Sequence, residues 1–184
     1  MIPLAEAIRK TTFIQSSKLR DHLGLDITIA TETFQHTGSF KFRAAYNLAS
    51  SVEQDEILSA SSGNFGQALA YACKLVDKRC TVVMPETSAK VKIDAVREFG
   101  ATVDLIDTNV IGRNERVEQL AQDMPDAYFA SAYDDPYVIA GNSTFCKAVR
   151  RGRRLNVWNT KPISTLRTDA RSSSLILDTS CPRM

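Results

Sequence analysis

Lys41 is the residue of this sequence whose type and surroundings point most clearly to covalent chemistry. It stands between two aromatic residues in the stretch Thr37-Gly38-Ser39-Phe40-Lys41-Phe42-Arg43-Ala44. Ser39 is a good N-cap and Phe40 through Ser51 has helical spacing, so Lys41 is predicted in the first turn of a helix. Desolvation by aromatic neighbours and the field of a helix N-terminus both favour the neutral amine, which can act as nucleophile or base. The alternative is a surface lysine whose stem packs on the aromatic rings.

A second stretch, Ser61-Ser62-Gly63-Asn64-Phe65-Gly66-Gln67, stands at a predicted strand-to-helix turn. A short apolar strand, Ile57–Ala60, ends before it, and a helix is predicted from Phe65 to Leu75. Backbone N–H groups at a helix N-terminus suit an anion. The alternative is a plain serine N-cap, which is common in α/β proteins.

Together the two stretches resemble the fold-type II pyridoxal-phosphate enzymes, and within them the threonine/serine dehydratase and serine racemase branch. In that family Gly-Ser-Phe-Lys-x-Arg carries the lysine that bonds to the cofactor, and Ser-Ser-Gly-Asn-His-Gly-Gln holds the substrate carboxylate and the cofactor ring. The resemblance runs in order from about Arg9 to Val149. It includes the matches Glu32-Thr33-Phe34-Gln35, Val83-Met84-Pro85, Phe99-Gly100-Ala101 and Tyr133-Asp134-Asp135-Pro136-Tyr137-Val138-Ile139-Ala140-Gly141.

The resemblance implies roles for individual residues. Lys41 would bond to pyridoxal 5'-phosphate and then take the α-proton of the substrate, while the ring stores the resulting charge. Phe40 would pack near the cofactor, and Asn64 would hydrogen-bond the phenolic oxygen of its ring. The residues that would bind the substrate carboxylate are Ser61, Ser62, Gly63 and Asn64.

The implied function is the dehydration of a hydroxy-amino acid such as threonine or serine to a 2-oxo acid and ammonia. The runner-up is an amino-acid racemase or a β-replacement enzyme of the same family. In racemases the serine that matches Ser62 acts as a second acid/base, but dehydratases also carry it, so Ser62 leaves both open. Phe40-Lys41-Phe42-Arg43 favours the dehydratase branch, because synthases of this fold usually have Lys-Asp-Arg. Phe65 stands where the family usually has His, and it would alter substrate preference or fill space.

The resemblance stops after Val149. Family members continue with a Gly-rich loop for the cofactor phosphate and a Ser or Cys that meets the pyridine nitrogen. Here the expected Gly-Gln-Gly-Thr is replaced by Gly141-Asn142-Ser143-Thr144. We expect a truncated chain that holds the cofactor weakly, since phosphate contacts supply much of its affinity. A hypothesis of a different class is a catalytically inactive fragment, or an interaction module built on the small domain.

Strands and helices alternate from Ile57 onward, which predicts an α/β fold with a parallel sheet covered by helices on both faces. The resemblance makes this the tryptophan synthase β-like fold with an incomplete large domain. We predict a small domain over residues 54–133, a partial large domain over 1–53 and 134–149, and a divergent, disordered basic tail over 150–184. The other predicted helices are Pro3–Arg9, Ser88–Phe99 (with Ser88 as cap and Gly100 as stop), Arg113–Asp123 and Asp134–Val149, and the other strands are Leu25–Ala30, Cys80–Met84, Ala101–Ile106 and Ala127–Ala130.

Other polar residues are interpreted as structural. Gln35 and His36 are expected to be loop residues rather than ligands. Tyr133, Asp134 and Asp135 are expected to form a solvated turn and a helix cap.

Composition places the chain among ordinary globular proteins. The net charge is +2, but the segment from Arg150 onward contains eight basic residues and only two acidic ones. With Trp158 as its sole aromatic residue this basic tail lacks a stacking platform, so no nucleic-acid partner is expected. The four cysteines show no metal-ligand spacing, and no signal or membrane segment is evident, so we expect a cytoplasmic protein without metal or membrane partner. Family analogy adds a possible homodimer.

Overall fold

The structure of the protein, a computed structural model, describes residues 2–152 of the 184-residue chain. That part contains seven helices and six strands. The helices are α1 (Leu4–Ala7), α2 (Ser17–Leu23), α3 (Lys41–Ser51), α4 (Asn64–Leu75), α5 (Lys90–Glu98), α6 (Arg113–Asp123) and α7 (Pro136–Gly152). The strands are β1 (Thr12–Gln15), β2 (Thr28–Thr31), β3 (Glu56–Ala60), β4 (Arg79–Pro85), β5 (Thr102–Ile106) and β6 (Tyr128–Ala130).

Four strands form a parallel sheet in the order β5-β4-β3-β6. Leu58 of β3 lies opposite Thr81 of β4 on one side and opposite Phe129 of β6 on the other. Because successive side chains of a strand face opposite sides, Ile57 joins the larger core with α3 and α4, and Leu58 joins a smaller cluster with Val117 of α6. The sheet is therefore covered by helices on both faces, and the predicted fold class is confirmed.

A second, antiparallel sheet pairs β1 with β2, with Thr12 opposite Thr31 and Gln15 opposite Thr28. The predicted strand at 25–30 is shifted, because β2 begins only at Thr28. Neither β1 nor α2 was predicted. Ser16 nevertheless caps α2, since its Oγ accepts a hydrogen bond of 3.3 Å from the Leu19 N–H, and this cap was a local signal in the sequence.

Helix α7 packs directly on α3, the helix that begins at Lys41. At their closest approach a Cβ on Gly141 would lie 2.6 Å from both Ala44 Cα and the Arg43 carbonyl oxygen, so only glycine fits there without displacing the backbone. The Asn47 side chain adds a hydrogen bond of 2.8 Å to the Tyr137 carbonyl oxygen. The two helices thus form one rigid support for Lys41.

Two predicted serine caps are wrong. Ser39 and Ser88 both have a buried Oγ without a hydrogen-bond partner within the described part of the chain. Helix α3 starts from Phe40 and helix α5 from Ala89, and neither has a side-chain cap. Each serine lies one position too far from the helix for its hydroxyl to serve the free N–H groups of the first turn.

Helix α7 continues to Gly152, past the predicted end at Val149, so the first three residues assigned to the basic tail form its last turn. The expected disorder of the rest of the tail, residues 153–184, lies outside the described residues. The division into a small and a partial large domain stays a prediction.

Candidate active site

Lys41 and the Ser61–Asn64 turn line the same pocket, which has a volume of about 750 Å³. The pocket opens at the carboxyl ends of β3 and β6, where Ala60 and Ala130 end their strands. Parallel α/β sheets bind ligands at this edge, because the loops that leave the strands meet there. All six predicted site residues, which are Phe40, Lys41, Ser61, Ser62, Gly63 and Asn64, contribute to the lining.

The amine of Lys41 lies near two aromatic rings. Its Nζ is 5.1 Å from the centre of the Phe40 ring and 5.7 Å from the centre of the Tyr133 ring. Partial burial lowers the pKa of Lys41 below the ordinary value of 10.5, because the charged form loses hydration. The residue therefore meets two requirements of a nucleophilic or basic lysine, access to a pocket and a pKa below that of an ordinary lysine.

Arg43, two residues further along α3, anchors the helix start. Its Nε donates to Glu32 Oε2 at 2.7 Å and its Nη2 donates to Glu32 Oε1 at 2.8 Å, which makes a two-pronged ion pair. The side chains are only 3% and 5% exposed. Thr11 and Gln35 also donate to the Glu32 carboxylate, at 2.7 and 3.1 Å. Burial alone would raise the pKa of Glu32, but these hydrogen bonds outweigh it and hold the pKa below 4.5.

The Ser61 hydroxyl closes the turn that faces Lys41. Its Oγ accepts hydrogen bonds from the backbone N–H of Gly66 at 2.9 Å and of Gly63 at 3.4 Å. Gly66 permits this tight geometry, since a Cβ there would lie 3.0 Å from the Ser61 carbonyl oxygen and 3.1 Å from Val82. Ser61 is therefore buried in the turn, while Ser62 and Asn64 are more exposed to the pocket.

Three pocket residues were missed or undervalued by the sequence analysis. Lys92 Nζ donates to Asn64 Oδ1 at 2.6 Å, and Arg113 Nη1 donates to Ser62 Oγ at 3.4 Å. Tyr133 lies in an exposed turn, as predicted, and is 79% exposed, but its ring also lines the pocket beside Lys41. Lys92 and Arg113 belong to helices distant from the turn in sequence, so no local pattern connects them to it.

A comparison with protein families identifies the family to which this chain belongs. A family model described as pyridoxal-phosphate dependent enzyme matches residues 4–154. The chain belongs to this family. The predicted resemblance is thereby confirmed, and the cofactor of the family is pyridoxal phosphate.

Individual relatives in the family have different activities. The chain is 35% identical to an L-threo-3-hydroxyaspartate ammonia-lyase of Saccharomyces cerevisiae over 148 residues, which covers 78% of this chain and 45% of that protein. It is 35% identical to a serine racemase of Dictyostelium discoideum over 141 residues, covering 74% and 43%. It is 34% identical to an L-threonine ammonia-lyase of Geobacter sulfurreducens over 145 residues, covering 77% and 36%.

The crystal structure of the Dictyostelium serine racemase superposes with a TM-score of 0.74 at 32% identity, and the match covers 80% of this chain and 49% of that one. The chain thus spans less than half the length of these relatives. The pyridoxal-phosphate dependent enzymes to which it is similar include both lyases and racemases.

Phe65 is the one member of the Ser61–Gln67 stretch that departs from the sequence expected for the family. Its side chain is buried and lines the pocket behind the turn.

Asp135 caps α7, as predicted, because its Oδ1 accepts hydrogen bonds from the N–H groups of Tyr137 and Val138 at 2.7 and 3.1 Å. Gln35 and His36 bond to the N-terminal segment, at Arg9 and Ala7, rather than to the pocket.

Two further observations concern residues 2–152. No group of three or more His, Cys, Asp or Glu side chains in this range could hold a metal ion. None of the helices in the same range is long and apolar enough to cross a membrane.

Proposed function

We propose that this chain carries the catalytic lysine and the substrate-binding turn of a threonine/serine ammonia-lyase. Such an enzyme converts a hydroxy-amino acid to a 2-oxo acid and ammonia. The observation that carries the proposal is the shared pocket of Lys41 and the Ser61–Asn64 turn. Family membership supplies the cofactor, and the lyases among the relatives supply the reaction class.

The residues in this pocket fit the aldehyde and ring of pyridoxal phosphate. Lys41 offers an amine with a lowered pKa for the covalent bond, and Phe40 offers an apolar surface beside it. Asn64 offers a carboxamide at the first residue of α4. When bound, the cofactor withdraws electrons from the α-carbon of the substrate.

The Ser61–Asn64 turn is proposed to bind the substrate carboxylate. It immediately precedes and begins α4, so the positive end of the helix dipole lies at the turn. Ser61 Oγ accepts from the N–H groups of Gly63 and Gly66, and the other N–H groups of the first helical turn have no intrahelical partner. Arg113 and Lys92 add positive charge to the same pocket. An amino-acid substrate would therefore be oriented with its carboxylate at this turn.

Lys41 is proposed to take the α-proton once its amine is free and neutral. Burial favours this neutral form, and the centres of the Phe40 and Tyr133 rings lie 5.1 and 5.7 Å from the amine. The β-hydroxyl would then leave with a proton as water, and the released enamine would tautomerise to an imine that a second water hydrolyses to the 2-oxo acid and ammonia.

Racemisation of an amino acid is the second candidate function. Ser62 is the observation that favours it, because its hydroxyl lines the same pocket as Lys41 and a racemase needs a second acid/base. Arg113 Nη1 donates to Ser62 Oγ at 3.4 Å, which leaves the hydroxyl proton of Ser62 available for donation in the pocket.

The length of the chain makes a third outcome testable, an inactive fragment or interaction module, since the chain spans less than half of its relatives. The test is to incubate the purified chain with pyridoxal phosphate and L-threonine or L-serine, and to measure 2-oxo acid and the D-enantiomer. The lyase proposal predicts 2-oxo acid formation that is lost in Lys41→Ala. Formation of the D-enantiomer without 2-oxo acid would favour the racemase. If neither product forms, the inactive fragment or interaction module is the favoured function.

A further inference from the structure

Lys92 contacts the candidate cofactor ligand Asn64 although the two residues lie on different helices. Lys92 is the third residue of α5 and Asn64 is the first residue of α4. The Lys92 ammonium donates to Asn64 Oδ1 at 2.6 Å, and both side chains line the pocket that contains Lys41.

The chemistry of the two groups fixes how the amide is oriented. A carboxamide has one end that accepts hydrogen bonds and one end that donates them, and the two ends have nearly the same shape. A lysine ammonium only donates. While Lys92 is in contact, the carbonyl oxygen of Asn64 must therefore face Lys92, and the NH₂ group is the end left for a ligand.

The orientation matters because the two ends of the amide have opposite preferences for a ligand. An NH₂ group favours an acceptor such as a phenolic or carboxylate oxygen, whereas a carbonyl oxygen would repel it. Asparagine without a partner could present either end. A charge-assisted hydrogen bond of 2.6 Å is short enough to select one of them.

We propose that Lys92 is a positioning residue that turns the Asn64 amide so that its N–H donors face the acceptor oxygen of the cofactor ring. The inference rests on the proposed function for the identity of that oxygen. The orientation of the amide itself follows from Lys92 alone, with or without a ligand. Lys92 acts through Asn64 and is not a catalytic residue.

The experiment compares four variants of the full chain. Lys92→Met removes the donor and keeps the length of the side chain, and Lys92→Arg keeps a donor. Lys90→Met is the matched control, because Lys90 lies on the same helix, pairs with Asp94 at 2.6 Å and does not line the pocket. Asn64→Asp keeps an oxygen for Lys92 but removes the NH₂ group.

The first readout is the affinity for pyridoxal 5'-phosphate, which is measured from the visible absorbance of the lysine-bound cofactor. Lys92→Met should weaken binding by about tenfold, the loss expected for a hydrogen bond to a charged group. Lys92→Arg and Lys90→Met should stay within about twofold of the wild type. Asn64→Asp should bind as poorly as Lys92→Met or worse, and wild-type affinity in either of these two variants would overturn the inference.

The second readout needs no cofactor. The side-chain amide signals of Asn64 in the ¹H–¹⁵N spectrum should move in Lys92→Met and stay in place in Lys90→Met. Unmoved signals in Lys92→Met would overturn the inference even if the protein binds cofactor. If the wild type fails to bind the cofactor, the proposed function fails, and the amide signals alone decide the orientation of Asn64.

Discussion

Arg43 and Glu32 form a buried, two-pronged ion pair, with Nε–Oε2 and Nη2–Oε1 distances of 2.7 and 2.8 Å. Arg43 lies two residues after Lys41 on α3, while Glu32 lies directly after β2. Arg43 also donates to Thr144 of α7 at 3.3 Å. The pair therefore ties the start of the Lys41 helix to the small antiparallel sheet and to α7.

Removing one partner of this pair should destabilise the protein strongly, because a buried charge would lose its counter-charge. We predict that Arg43→Ala lowers the free energy of unfolding by about 3–5 kcal/mol. The matched control is Arg79→Ala, which breaks the Arg79–Glu56 pair on the surface, where Arg79 is 73% exposed, and should cost less than about 1 kcal/mol. Urea unfolding measures both, and equal losses would contradict the importance of the buried pair.

The stability of the protein should depend on Glu32 at acid pH. The folded-state pKa of Glu32 is lowered below 4.5, so ionised Glu32 favours the folded state. This contribution is complete above about pH 4.5 and is lost as the pH falls through the lowered pKa. In Glu32→Gln, unfolding free energies measured by urea should fall less steeply below that pH than in the wild type. Parallel pH curves for the two proteins would show that Glu32 is not the group responsible.

The contact between α3 and α7 should not tolerate a side chain at Gly141. Gly141→Ala would place a methyl group 2.6 Å from Ala44 Cα, and we expect a loss of about 1–3 kcal/mol in unfolding free energy. Gly112→Ala is the control, since a Cβ there meets nothing closer than 3.9 Å. Thermal unfolding of both variants measures the difference, and a Gly141→Ala protein as stable as Gly112→Ala would mean that the helices can separate without cost.

Lys41 should lose its proton at a lower pH than an ordinary lysine. Burial lowers its pKa below 10.5, so its amine should become reactive below that pH. Reductive methylation at a series of pH values, read by peptide mass spectrometry, gives the apparent pKa. Methylation of Lys90, whose side chain is 87% exposed, is the control that shows whether the reagent is active at each pH. Phe40→Ala should move the midpoint of Lys41 upward by exposing the amine, and a wild-type midpoint at or above 10.5 would refute the desolvation argument.

The parallel sheet and the pairing of the two motifs were predictable from sequence because both depend on local patterns. The alternation of apolar strands with helices predicts β3 to β6, and a turn after a parallel strand must lie at the carboxyl edge of the sheet. Lys41 precedes that sheet, and only the family resemblance connected it to the Ser61–Asn64 turn. The structure places both in one pocket.

The remaining features depend on contacts between distant parts of the chain. Strand β1 has four residues and exists through its pairing with β2, so its own sequence carries little signal. Lys92 and Arg113 reach the turn from α5 and α6, and no local sequence pattern connects them to it. The caps at Ser39 and Ser88 failed because a shift of one residue removes the hydroxyl from the first turn.

The most direct test of the proposed site is to add pyridoxal phosphate to the purified chain, reduce with borohydride, and locate the attached cofactor by peptide mass spectrometry. We predict saturable attachment at Lys41, with no attachment at that position in Lys41→Arg and unchanged background labelling elsewhere. Attachment scattered over exposed lysines such as Lys90, or no attachment, would contradict the claim that this chain retains a pyridoxal-phosphate site.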